Sequence, residues 1–99
     1  MIKHIVLFKL VEFESTEAKQ AKLDEIKAGL EALPKLIPEL KLLTVGINVN
    51  SAEKYDIALT TEFNTMDDLS IYAKHPDHVK VGGIIRAVLA ERACVDYSF

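Results

Sequence analysis

Apolar side chains occupy both parities of the opening segment Ile2 to Val11. Ile2, Val6, Phe8 and Leu10 fall on one side together with His4, and Ile5 and Leu7 fall on the other between Lys3 and Lys9. This predicts a strand covered on both faces. From Ser15 the period changes. Ser15 or Thr16 offers a side-chain oxygen to the free N–H groups of a helix start, Glu17 suits its first turn, and Leu23, Ile26, Leu30 and Leu33 recur at helical spacing up to Pro34. Gly29 lies inside this helix at a cost of about 1 kcal/mol relative to alanine, which points to close packing of the helix on the sheet. Leu40 to Val49 reads as a second strand, the polar stretch Asn50 to Lys54 as a hairpin loop, and Tyr55 to Phe63 as a third strand with the clearest alternation in the chain. Thr65 with Asp68 resembles a capping box for a short helix running to about His75, where Pro76 stops it. A punctuated stretch, Asp77 to Gly83, precedes a further helix carrying Ile84, Ile85, Val88 and Leu89, and a last strand alternates Ala93, Val95, Tyr97 and Phe99 with Arg92, Cys94, Asp96 and Ser98. The order β-α-β-β-α-β, with its second helical region split, is that of a ferredoxin-like α+β fold over residues 1–99 as one domain.

Such a sheet carries helices on one face only. The other face would expose Ile5, Leu7, Leu42 and Ala58, and the most economical cover for it is a second copy of the chain packed sheet on sheet. The expected assembly is therefore a homodimeric α+β barrel, formed through the open sheet face.

Composition narrows the function classes. Of 99 residues 49% are hydrophobic, and 12 Lys and Arg against 15 Asp and Glu leave a formal charge of −3, with no basic run of the kind nucleic acid requires. Neither a secretory leader nor a membrane-spanning run is expected, since the apolar run Ile5 to Phe8 ends at Lys9. The single Cys94 excludes an intrachain disulfide and favours the cytoplasm. No nucleic-acid or membrane partner is expected.

Three segments carry a resemblance that spans essentially the whole chain. Met1-Ile2-Lys3-His4-Ile5-Val6-Leu7-Phe8-Lys9, Tyr72-Ala73-Lys74-His75-Pro76-Asp77-His78-Val79 and the closing Asp96-Tyr97 resemble the stress-responsive dimeric α/β-barrel (Dabb) family. The resemblance implies a ferredoxin-like subunit paired into a dimeric barrel, in agreement with the two-sided first strand. One branch, the plant olivetolic acid cyclase, implies a cofactor-free aldol-type ring closure of a polyketide, and His4, Tyr72 and His78 match its pocket histidines and tyrosine. Lys27 stands where that cyclase has a pocket tyrosine, and Leu89 where it has a pocket tryptophan.

The chemistry of the trio stands apart from the resemblance. A neutral histidine near pH 7 can take a proton from carbon beside a carbonyl, so His78 is the candidate general base. Tyr72 can donate to the enolate oxygen that forms, and His4 can orient His78 or bind a carbonyl. The competing expectation makes all three structural, with the Tyr72 hydroxyl on backbone, His4 a satisfied buried histidine and His78 a helix cap. His75 and His78 have chelating spacing, but Pro76 and the missing third ligand argue against a metal, and His75 reads as a solvated helix end. Cys94 reads as a packing residue. The leading functional expectation is binding of a small, partly apolar molecule between sheet and helices, against walls formed by Val6, Phe8, Leu59, Val79 and Leu89. The alternatives are a cofactor-free cyclase or lyase acting through His78, Tyr72 and His4, and a small cofactor-free oxygenase, which a fold of this kind can also host. None of these readings calls for a cofactor or a metal.

Overall fold

Alternation in the first strand sorts its side chains onto two faces, and the rest of the chain is built around that division. In the computed structural model, which describes Met1–Phe99, strand β1 spans Ile2–Leu10 and buries Val6, Phe8 and Leu10 under the helices. Helix α1 spans Thr16–Glu31, opened by the Ser15 hydroxyl accepting from the Ala18 N–H at 3.0 Å and buried through Leu23, Ile26 and Leu30. A short 3-10 turn at Leu33–Lys35 follows, so Leu33 joins the core from the turn and not from the helix itself. Strand β2 is Leu42–Ile47, strand β3 Ile57–Phe63, helix α2 Met66–Lys74, helix α3 Pro76–Arg86 and strand β4 Leu89–Ser98. The sheet is antiparallel throughout, in the order β2-β3-β1-β4, with all helices on one face of the ferredoxin-like fold.

Four expectations are corrected. β2 is shorter than Leu40 to Val49, because Leu40 is held in the preceding turn by its N–H on the Ile37 carbonyl at 3.1 Å and Val49 is 99% exposed. β3 begins at Ile57, two residues after Tyr55: Asp56 still accepts from the Asn48 N–H at 2.9 Å, but its carboxylate accepts from the Leu10 N–H and its own N–H reaches the Phe8 carbonyl, both at 2.8 Å, tying it to the end of β1. α3 begins at Pro76 and runs through Gly82 and Gly83, since proline at the first helical position loses no hydrogen bond and its fixed φ suits the helix. Leu89 opens β4 and is not part of the helix, which closes with the Ala87 N–H on Gly83 and the Val88 N–H on Ile85. Gly29 marks a close approach, as its helical position suggested. The neighbour is α3 and not the sheet: a Cβ at Gly29 would stand 3.3 Å from Val81 Cγ2.

On the helix side of the sheet β3 contributes Ile57, Leu59, Thr61 and Phe63, and the fully buried Thr61 hydroxyl donates to the His4 carbonyl at 3.3 Å. On the other side Ile5 lies between Val95 and Thr60, and Leu7 between Ala93 and Ala58. Val95 and Tyr97 there are 54% and 42% exposed. The second face of β1 is thus apolar, as its sequence pattern indicated.

Candidate functional site

Helices α1 and α2 lie over β2 and β3, whereas β4 at the sheet edge has polar residues on its inner face. Register explains which ones. β4 pairs with β1 so that Arg92 faces Phe8, Cys94 faces Val6 and Asp96 faces His4, all on the helix side. Between this polar edge and α2–α3 a cavity of about 460 Å³ opens, a volume suited to a small molecule. Its walls include His4, Val6, Phe8, Leu59 and Leu89 from the strands, Leu30 from α1, Tyr72 from α2, and His78, Gly82, Ile85 and Arg86 from α3.

Tyr72 is 1% exposed and packs its ring on Phe63 at a centroid distance of 5.0 Å. Its hydroxyl has no hydrogen-bond partner, so the expectation of a hydroxyl tied to backbone does not hold. An orphaned buried hydroxyl costs about 1–3 kcal/mol, which a ligand acceptor would relieve. Burial pushes the phenol up to about 12, so it remains a donor throughout the physiological range.

The His78 ring lies 4.4 Å from that of Tyr72, tilted by 49°. His78 Nδ1 is 3.0 Å from the Ala73 carbonyl oxygen, and since a carbonyl only accepts, Nδ1 carries the hydrogen. In the neutral ring Nε2 then holds the lone pair. Burial lowers the pKa of His78; the Ala73 carbonyl opposes that shift, and the charges of His4, Arg86 and Arg92 add to it. The imidazole is therefore neutral at pH 7. The helix cap assigned to it by the structural expectation belongs to His75, whose Nδ1 accepts from the Asp77 N–H at 3.1 Å.

His4 is turned toward the edge strand. Its Nδ1–H donates to the Asp96 carboxylate, while the Nδ1–H of His78 goes to Ala73, and no hydrogen bond joins the two rings. The Cys94 sulfur lies 3.5 Å from His4 Nδ1 and 3.6 Å from Asp96 Oδ1, and burial together with the Asp96 charge pushes the thiol pKa up. His4, Cys94 and Asp96 bring three donor atoms within 4.8 Å of one another, a grouping that includes neither His75 nor His78. A metal entering there would have to displace the proton between His4 and Asp96.

The structure thus gathers His4, Tyr72 and His78 around one cavity, with Val6, Phe8, Leu59 and Leu89 among its walls. Val79 is corrected: it is 47% exposed and outside the cavity. The helix begins at Pro76, and that phase turns His78, Gly82, Ile85 and Arg86 inward and Val79 outward. Arg86, Arg92 and Asp96 were missed as cavity residues. The alternation of β4 already put Arg92, Cys94 and Asp96 on one face; what it lacked was the register against β1.

The Stress responsive A/B Barrel Domain family (Dabb) matches residues 2–99. A dimeric protein of unknown function with a ferredoxin-like fold from Bacteroides fragilis is 44% identical, with a TM-score of 0.94 over 99% of this chain and 95% of the other. A dimeric ferredoxin-like protein of unknown function from Thermobifida fusca is 30% identical, with a TM-score of 0.85 over 99% and 90%. A stress-response A/B barrel domain-containing protein of Arabidopsis thaliana is 34% identical over 82% of this chain and 30% of its own length. The chain spans less than half the length of the curated relatives it matches. At 18% and 15% identity, a hydroxynitrile lyase from Passiflora edulis (TM-score 0.80, covering 97% of this chain and 90% of that one) and an antibiotic biosynthesis monooxygenase (TM-score 0.75, covering 100% and 98%) share the fold. No helix is long and apolar enough to cross a membrane.

Proposed function

The chain belongs to the stress-responsive A/B barrel domain family, and from that premise we propose that it binds a small, partly apolar carbonyl compound in the cavity between sheet and helices. The observation that carries this reading is the Tyr72 hydroxyl, buried without a partner beside the His78 ring on an otherwise mostly apolar wall. A carbonyl oxygen would accept from that hydroxyl, and the aliphatic walls would take the rest of the ligand. A simple methyl ketone, 2-octanone, tests this by NMR titration. It is expected to perturb Tyr72 and His78 together, and Tyr72→Phe is expected to weaken binding about two- to tenfold, the worth of one hydrogen bond. No perturbation at either residue at millimolar ketone sinks the reading.

A second reading, cofactor-free cyclase or lyase chemistry, is favoured by the state of His78. With Nδ1–H committed to Ala73, Nε2 can take a proton from the carbon beside a bound carbonyl. The electron pair of the broken C–H bond moves into the enolate, whose oxygen accepts from Tyr72. In a ring closure the enolate carbon then attacks a second carbonyl carbon of the same substrate, whose π electrons move onto its oxygen, and Nε2–H returns the proton to that alkoxide. Deuterium wash-in to 2-octanone from D₂O reads the first step directly. His78→Ala is expected to lower it about 10²- to 10⁴-fold, and equal wash-in by both proteins removes this reading. The oxygenase alternative has only the shared fold behind it.

We also propose that the chain forms a homodimer through its open sheet face, where Ile5, Leu7, Val95 and Tyr97 lie together. The Bacteroides fragilis and Thermobifida fusca relatives are described as dimeric. Light scattering at micromolar concentration tests it, and a stable monomer removes it. The one-cysteine composition supports a cytoplasmic location.

A further inference from the structure

We propose that the cavity selects a carboxylate-bearing ligand, with Arg86 and Arg92 holding the carboxylate at the mouth while the apolar part lies inside; this rests on the small-molecule reading above. The protein carries a formal charge of −3, yet the cavity wall holds two guanidinium groups against one carboxylate. That carboxylate, Asp96, is engaged by His4, and Glu91, next to Arg92 in sequence, is taken by Lys54 at 3.2 Å. Neither Arg86 nor Arg92 takes part in any ion pair of the structure.

Both side chains are nevertheless directed to the site. The Arg86 guanidinium lies back over Gly82, so close that a Cβ there would be 3.1 Å from Nη1; glycine at this cavity position lets it lie on α3. Arg92 shares the inner face of β4 with Cys94, two residues on, and its charge acts on the Cys94 thiol. Both arginines line the same cavity as Tyr72 and His78, and their charges act on the His78 ring.

The geometry also selects among anions. Arg86 occupies the last turn of α3, where the helix presents carbonyl oxygens and partial negative charge. Arg86 thus stands at the opposite end of α3 from the first-turn backbone N–H groups that would favour phosphate. A planar, singly charged carboxylate suits two guanidinium groups there. The ligand class is then an aliphatic carboxylic acid whose carbonyl-bearing or alkyl portion reaches Tyr72.

Octanoate and octanamide, alike in chain and differing in charge, test this by NMR titration at low salt, followed at Gly82, Arg86 and Arg92. Octanoate is expected to bind about tenfold tighter than octanamide, a modest ratio because both arginines are exposed. The advantage should shrink several-fold at 0.5 M salt. Arg86→Gln with Arg92→Gln, both at exposed positions, should abolish the preference, bringing octanoate and octanamide to equal affinity. Equal affinity of wild type for the two probes, or a preference that survives the double variant, overturns the carboxylate site and leaves the cavity reading standing. Failure of both probes and of 2-octanone to bind overturns the cavity reading and this inference with it.

Discussion

The two crossovers of the sheet are built differently, and the difference makes the site. The first, α1, is an unbroken helix from Thr16 to Glu31 whose buried residues Leu23, Ile26 and Leu30 are all aliphatic. The second is broken at His75 into α2 and α3. In an unbroken helix the Ala73 carbonyl would accept from the N–H of Asp77, four residues on. Here the Asp77 N–H is capped by the His75 ring, and the freed Ala73 carbonyl takes Nδ1–H of His78. The break thus supplies the group that fixes the tautomer of the candidate base. One crossover spends its backbone on stability, and the other presents an imidazole, a hydroxyl and one guanidinium group, those of His78, Tyr72 and Arg86, to the cavity.

Core truncation should break the comparison most visibly. Tyr72→Ala is expected to destabilise by about 3–5 kcal/mol, and Leu30→Ala on the α1 side by about 2–5 kcal/mol, both read from urea unfolding. Next comes the seam between the two crossovers. Gly29→Val forces a branched side chain against Val81, where even a Cβ would stand at 3.3 Å, and should cost about 1–3 kcal/mol, with shifts confined to α1 and α3 in the NMR spectrum.

A smaller effect follows from His78 alone. Its pKa in the folded chain lies below the unfolded value of 6.5, so between the two the unfolded chain binds more protons. Stability from this group is complete above the unfolded pKa and falls as the pH is lowered through the folded one. Unfolding measured from pH 8 to pH 5 should show that fall in wild type, and His78→Gln should flatten it. Smallest of all is Tyr72→Phe, which removes an unpartnered hydroxyl and should leave stability unchanged or slightly higher. A loss above about 1 kcal/mol, the net worth of an ordinary hydrogen bond, would mean the hydroxyl has a partner in solution.

Much of this arrangement was legible in the residues. Period-two and helical patterns separate strands from helices, and apolar residues on both faces of β1 point to a covered second face. The same patterns put His4 on the inner side with Val6 and Phe8. The phase of α3 was not legible, because glycines at 82 and 83 and the proline at 76 read locally as interruptions. Tertiary packing instead carries the helix through the glycines and uses the proline to start it. That error displaced Val79 into the cavity and hid Arg86. The neighbours of His4 were equally hidden, since Asp96 lies 92 residues away and meets it only through strand register.

In β1 consecutive residues serve opposite sides of the sheet: Ile5 looks out between Val95 and Thr60, while His4 and Val6 look into the cavity. A ligand inside and a cover outside would therefore grip the same short length of backbone. Thermodynamic linkage makes any resulting influence mutual: whatever factor cavity occupancy contributes to association across the open face, association returns to cavity affinity.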